Sequence, residues 1–189
     1  MLESLEHIDR QLFLILNGWH NHFFDSFFWI VSNKFIWIPL YLFIAYLIIR
    51  KYKKQSWMVI LATILVIVLT DQTSVHLFKN IFMRYRPSHN LDLQNMVHIV
   101  HNYRGGLYGF VSSHAANTFG LAVFTALVLK NKTFWYLILS WAIIVSYSRI
   151  YLGVHYPADI LGGAVVGTII ASIVFFFSKK LIFRKISPT

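Results

Sequence analysis

The stretch Ser148-Arg149-Ile150-Tyr151-Leu152-Gly153-Val154-His155-Tyr156-Pro157-Ala158-Asp159 sets an arginine, a histidine and an aspartate into sequence that is otherwise almost wholly apolar. Ionisable side chains are costly in such surroundings unless they pair or serve a ligand. Pro157 suits the first turn of a helix, so the residues before it form a short loop and those after it begin a helix. His155 then stands at the mouth of that helix, with Asp159 one turn further in. An i, i+4 separation lets the carboxylate reach one imidazole nitrogen and fix the tautomer, leaving the other nitrogen free to attack. Arg149, ending the preceding helix, is placed to hold an anionic group against it. A lone His-Asp pair of this kind would do no more than staple a loop to a helix, but two further stretches give it company.

Working outward, the surroundings are those of a membrane protein. Of 189 residues, 57% are hydrophobic and only 13% charged. A soluble domain of this length cannot hide so much apolar surface, whereas a helical bundle in lipid must display it. The net charge of +10 would suggest nucleic acid in a soluble protein. Here the cations cluster beside apolar runs and orient the chain in a membrane, so no nucleic-acid partner is expected. Cysteine is absent, which removes a disulfide framework, a thiolate nucleophile and cysteine-bound zinc. Nothing in the chain points to an obligate protein partner.

The expected fold is all-α, a polytopic transmembrane bundle of five to six spans preceded by an amphipathic interfacial helix. In that first helix Leu5, Ile8, Leu12, Ile15 and Leu16 share a face opposed to Glu3, Glu6, Asp9 and Arg10. Residues 1–33 form this N-terminal interfacial segment and 34–183 the transmembrane core. Spans are expected at about 35–49, 57–82, 114–129, 134–150 and 158–178, each close to the length that a hydrocarbon core of roughly 30 Å requires. The basic turns Arg50–Lys54 and Lys130–Lys132, and Lys179, Lys180, Arg184 and Lys185 after the last span, then fall on one side, which the positive-inside rule makes cytoplasmic. The 88–112 and 149–157 loops face outward, toward the periplasm in a bacterium. Fusing residues 12–31 into a sixth span would bury Asn17, His20, Asn21, His22 and Asp25 at mid-membrane depth, where polar groups are expensive.

Two more stretches converge on that outer side. Lys79, Arg86 and Pro87 end the long helix, and the seven-residue step between the cations is about two turns at 3.6 residues each, placing both on one face able to bind an anion. Arg84 and His89 nearby are expected to snorkel to lipid headgroups, and Asp71 to pair with a polar neighbour. Gly109-Phe110-Val111-Ser112-Ser113-His114 turns from loop into helix at the serines. A helix N-terminus offers free N–H groups and the positive end of its dipole, which suit phosphate. Ser112 is also an ordinary N-cap, and His114 is placed to give a proton to a leaving oxygen.

Together, Lys79 with Arg86-Pro87, Ser112-Ser113-His114, and Ser148-Arg149 with His155 and Asp159 resemble the three-part signature of the type 2 phosphatidic acid phosphatase superfamily. The first part of that signature is Lys, six residues and Arg-Pro; the third is Ser-Arg, five residues, His, three residues and Asp. Both are satisfied. The second part is usually Pro-Ser-Gly-His, and here Val111 and Ser113 stand for the proline and the glycine. The resemblance covers about residues 57–178. It implies that His155, oriented by Asp159, attacks phosphorus while His114 protonates the leaving oxygen, and that water then releases phosphate. Lys79, Arg86, Arg149, Ser112 and Ser113 would cradle the phosphoryl oxygens, with no metal and no cofactor. Vanadium haloperoxidases share the fold and anion site but are soluble, unlike this chain.

The expected substrate is a membrane lipid phosphate, with undecaprenyl diphosphate and lipid A ahead of phosphatidylglycerophosphate and phosphatidic acid. The 88–112 loop, with His98, His101, Tyr103, Arg104 and Gly105-Gly106, is the expected headgroup element. A phosphotransferase passing the phosphoryl group to a second lipid is the alternative enzyme. A lipid-binding or transport protein is the non-enzymatic one, which would need neither an oriented nucleophile nor an acid.

Overall fold

The computed structural model describes residues 2–93 and 95–184, and its described residues contain helices and turns but no strand. Lys185, counted above among the basic residues of the tail, lies outside them. The helices are α1 (Leu2–Gly18), α2 (His22–Ser32), α3 (Ile38–Tyr52), α4 (Ser56–Gln72), the single turn α5 (Asn80–Phe82), α6 (Ser113–Leu129), α7 (Lys132–Tyr151) and α8 (Pro157–Arg184). Their starts follow local chemistry. Asn21, Asn33 and Asn131 accept hydrogen bonds from Phe24, Phe35 and Phe134 N–H groups, and Ser112 accepts from Ala115 N–H, supplying partners for amides that have none inside the helix.

Polar contacts at the helix ends fix how the bundle is threaded. At one end Lys51 Nζ donates to the Val128 and Leu129 carbonyls and Tyr52 Oη to Val128, so the end of α3 meets the end of α6. At the other, Thr70 Oγ1 donates to Asn117 Oδ1 at 2.6 Å, joining the end of α4 to the start of α6. Ser112 N–H donates to the Asp159 carbonyl at 2.9 Å, bringing the starts of α6 and α8 together. These two helices run parallel and nearly touch. A Cβ on Gly167 would lie 2.2 Å from the Ala116 carbonyl oxygen, and one on Gly163 would lie 2.5 Å from that of Ser112, so no side chain fits at either position. The turns at 50–54 and 130–132 therefore share one end, and the loops at 83–112 and 152–156 share the other.

Three helical stretches are long and apolar enough to cross a bilayer: Lys34–Phe82, Lys132–Tyr151 and Pro157–Lys180; Ser113–Leu129 is apolar but shorter. The first of these contains both α3 and α4, since the chain reverses at Lys53 (φ 47°, ψ −119°). Val59, Val66, Ala122, Phe124, Val128, Ala142 and Ala171 form the core, while Leu42, Leu61, Leu161 and Phe177 point outward, as side chains facing lipid do.

One expectation about helix faces changes, and the face that α1 turns to the protein becomes visible. The helix that begins α4 continues beyond Gln72 as a π-helical stretch, Thr73–Lys79, and stops at Phe82, with Met83 in the left-handed region. Arg86 is extended (φ −67°, ψ 156°), as a residue before proline prefers. Lys79 and Arg86 thus do not share a helical face, although they still meet. In α1 the apolar stripe Leu5, Ile8, Leu12 and Ile15 faces outward. The face turned to the protein is Asp9, Phe13 and Asn17, spaced four apart.

Candidate functional site

His155 lies in the loop between α7 and α8 and is 1% exposed. Its Nδ1 is 3.3 Å from Asp159 Oδ2, which also accepts the Tyr156 N–H at 3.0 Å. With a carboxylate beside it, Nδ1 carries the hydrogen and Nε2 keeps its lone pair, assigned from the hydrogen-bond network. Arg86 Nη1 donates to that lone pair at 3.0 Å. Burial first, and then Arg86, Arg149 and Lys79, hold the imidazole pKa well below its ordinary value. His155 is therefore neutral near pH 7, the form that can attack phosphorus.

Arg86 is anchored by neutral oxygens. Its Nε donates to the Tyr108 carbonyl at 3.1 Å and its Nη1 to that of Val154 at 3.2 Å. Residues 84–86 pair with 107–109 through Arg86 N–H to Leu107 O and Gly109 N–H to Arg84 O. A Cβ on Gly109 would stand 2.9 Å from Asp159 Oδ2, so only glycine leaves that carboxylate room. Burial, and Arg149 beside it, lower the Arg86 pKa to about 10, which still leaves it charged.

Arg149, 3% exposed, donates through Nη1 to Ser32 Oγ and through Nη2 to Tyr103 Oη at 3.1 Å. Its buried Nε has no acceptor among the described residues. A buried donor left over in a cationic pocket suits a ligand oxygen. Lys79 Nζ donates to Ser113 Oγ at 2.6 Å, so the serine that stands for the usual glycine steadies a cation instead of crowding the cradle. None of Lys79, Arg86 and Arg149 has a carboxylate at ion-pair distance among the described residues. These three cations, with Ser113, His114 and His155, line one cavity of about 970 Å³. The cavity continues between α3, α4, α6 and α7 past Ile44, Ile64, Val68, Leu121 and Trp141.

Ser112 does not join them on the cavity wall. It is fully buried and its Oγ caps α6 by accepting the Ala115 N–H at 3.4 Å, which leaves its neighbour as the hydroxyl facing the cavity. Asp71 meets Asn117, whose Nδ2 donates at 3.5 Å. Among the described residues no three His, Asp or Glu side chains gather as metal ligands.

Residues 57–183 match the family model of the PAP2 superfamily. The chain belongs to the PAP2 superfamily. It is a membrane-embedded lipid phosphatase. It is similar to a lipid A 4'-phosphatase of Porphyromonas gingivalis, with 39% identity over 92% of this chain and 74% of that one. It is also similar to a lipid A 4'-phosphatase of Bacteroides thetaiotaomicron, at 38% identity over 100% of this chain and 85% of the other. The fold resembles the crystal structure of a transmembrane PAP2-type phosphatidylglycerolphosphate phosphatase from Bacillus subtilis, with a TM-score of 0.73 at 21% identity, covering 94% of this chain and 88% of that one.

Within this PAP2 phosphatase, several polar residues take places the sequence did not indicate. Arg84 does not snorkel to lipid. Its Nη1 donates to Asp159 Oδ1 at 2.9 Å and its Nη2 to Asp9 Oδ2 at 2.7 Å. His89 Nε2 lies 3.3 Å from the Gly105 carbonyl. In the 88–112 loop, Tyr103 reaches the cavity. His98 is bonded to Asp25 at 2.8 Å and stacked on His20, Arg104 donates to the Ser88 carbonyl, and His101 packs on Trp29. Arg104 thus braces the loop on itself, while His98 and His101 tie it to α2. Ser32, from α2, was also not anticipated. The available signal for α1 was the polar, aromatic, polar spacing of Asp9, Phe13 and Asn17 on one helical face.

Proposed function

We propose that this phosphatase removes the phosphate of a phosphorylated glycolipid of the lipid A type by way of a phosphohistidine at His155. The observation that carries the reading is the set of three cations, two of them buried, without carboxylates at ion-pair distance among the described residues, gathered around a neutral histidine in a cavity that runs on past Ile44, Ile64, Val68 and Leu121. A phosphate monoester brings the missing negative charge, and its apolar portion continues along α3 and α4. His155 Nε2 attacks phosphorus as the bond to the lipid oxygen breaks, and His114, which takes up a proton once the phosphate's negative charge lies beside it, delivers that proton to the leaving oxygen. A water then attacks the phosphohistidine and gives its proton to His114; the P–N bond breaks and inorganic phosphate leaves. Lys79, Arg86 and Arg149 neutralise the phosphoryl oxygens as charge shifts, with Ser113 and the first amides of α6 adding donors.

Two lipid A 4'-phosphatases among the relatives, each aligned with nearly all of this chain, favour that substrate. A relative from Sulfolobus acidocaldarius named undecaprenyl-diphosphatase is 28% identical over 72% of this chain, which makes a prenyl diphosphate the second candidate. Five spans, formed by α3, α4, α6, α7 and α8, account for the chain, with α1 and α2 at the interface and residues 1–33 and 34–183 as two segments of one unit. The break at 19–21 and the contacts of Asn17 with the Ile150, Tyr151 and His98 carbonyls support placing that segment beside the site instead of through the membrane. The basic end would be cytoplasmic and the site periplasmic. A single Cys at Asn95 should then react with an impermeant maleimide in spheroplasts and one at Gln55 only after lysis; the reverse pattern contradicts the orientation.

The substrate test offers purified protein lipid A, undecaprenyl diphosphate, phosphatidylglycerophosphate and phosphatidic acid, with His155→Ala as the blank. Fastest phosphate release from lipid A is expected. Release from the other lipids with lipid A untouched contradicts the substrate assignment.

A further inference from the structure

The side of Asp159 turned away from the cavity holds a second charged group that the catalytic reading leaves without a task. Arg84 bridges two carboxylates that lie on helices distant in sequence, Asp159 in the first turn of α8 and Asp9 in α1. Asp159 is 0% and Asp9 8% exposed, so both bonds are made where water competes weakly. Asp9 is fixed in turn, because its Oδ1 accepts the Ala158 N–H at 2.9 Å, the amide next to Asp159 in the chain. The Arg84 guanidinium also lies 4.2 Å from the ring centre of Tyr156, on whose edge Phe13 of α1 packs. The result is a closed ring from Asp9 through Arg84 and Asp159 back to Asp9 by way of Ala158.

The ring divides the two oxygens of Asp159 between two tasks. Arg84 takes Oδ1, which leaves Oδ2 for His155 Nδ1 and the Tyr156 N–H. Without Arg84, the carboxylate would be a buried anion free to rotate, and its hold on the imidazole would loosen. We infer that Arg84 and Asp9 are positioning residues of this phosphatase, keeping the Asp159 carboxylate turned toward His155, and that α1 is thereby part of the catalytic apparatus. Asp9 lies outside residues 57–183, which match the family model.

This inference rests on His155 as the nucleophile, so phosphate release from lipid A by wild type and its loss in His155→Ala come first; failure there strikes the proposed function alone. The test then compares Arg84→Met, Arg84→Lys and Asp9→Asn, each in the wild-type and in the Asp159→Asn background. Losing the orienting group of a catalytic histidine lowers kcat and leaves substrate binding nearly intact, so Arg84→Met should lower kcat by about ten- to a hundredfold with KM within about threefold. Asp9→Asn, which keeps an acceptor for Ala158, should lower kcat by about five- to tenfold. Arg84→Lys retains the charge and should recover most of the kcat lost in Arg84→Met. In the Asp159→Asn background none of the three should lower kcat further, because their target is gone. Equal losses in both backgrounds, a raised KM at unchanged kcat, or an unchanged kcat in all three variants overturns the inference. If Arg84→Met does not fold, Arg84→Lys and Asp9→Asn carry the same comparison.

Discussion

The two sides of the His155 loop hold charge in opposite ways. On the cavity side Lys79, Arg86 and Arg149 are steadied by a hydroxyl, carbonyls and a phenol, none of which cancels their charge. On the far side Arg84 is held by two carboxylates. Both sets are poorly exposed to water, so the difference is not one of solvation. A buried cation is costly unless something offsets it. Where the protein supplies the anion, the group belongs to the scaffold; where it does not, the charge is left open to an anionic ligand, as the proposed function requires. Asp159 stands between the two, joined to Arg84 by one oxygen and to His155 by the other.

The comparison is sharpened first at His155. His155→Ala should reduce phosphate release by about 10⁴-fold or more, and Asp159→Asn by less, since it misorients the ring without removing it. Next come the uncompensated cations. Arg149→Ala or Arg86→Ala should each lower kcat/KM by about 10²- to 10³-fold, as loss of an oxyanion-stabilising donor does.

A smaller effect concerns pH. In the proposed mechanism His155 must be neutral to attack, and burial followed by its three cationic neighbours depresses its pKa. Activity should accordingly persist as the pH falls through the ordinary imidazole range, near 6.5, and fail only well below it. In Arg86→Gln one cation no longer opposes protonation, so the pKa rises and the acid limb of kcat/KM should move upward. An acid limb that stays in place would mean that Arg86 does not govern His155. The smallest expected change is none: chelator should leave the rate unaltered, because Asp159 and Asp9 are engaged with Arg84, and Asp71 on the cavity wall accepts from Asn117. Loss of activity restored by a divalent ion would contradict that prediction.

Much of the cavity side was legible in the sequence, because its chemistry is written in short spacings. Pro157 announced the start of α8, and the four-residue step from His155 to Asp159 gave the pair. Lys79 and Arg86 were legible as partners, although helical counting gave the wrong reason. The π-helical stretch and the left-handed Met83 end that helix early, and the loop carries Arg86 to the cavity. The far side was not legible, since the Arg84 contacts with Asp9 and Asp159 each span 75 residues and no local pattern records such a distance. The orientation of α1 was also hidden. Leu5, Ile8, Leu12 and Ile15 face outward, as a lipid surround favours, while Asp9, Phe13 and Asn17 turn inward and Glu3 and Glu6 stay exposed. Ser112 was legible as an N-cap, whereas its burial, which leaves Ser113 alone of the two on the cavity wall, was not.

The central claim is that the phosphoryl group passes through His155. It is tested most directly by mixing the purified phosphatase with lipid A carrying ³²P in its 4'-phosphate, quenching within milliseconds, and asking where protein-bound label lies. A phosphohistidine has a P–N bond, labile in acid and stable in alkali. The expected result is label with that stability on the peptide containing His155, chased into inorganic phosphate and absent from His155→Ala. Turnover without any protein-bound label, or acid-stable label on Ser112 or Ser113, would contradict it.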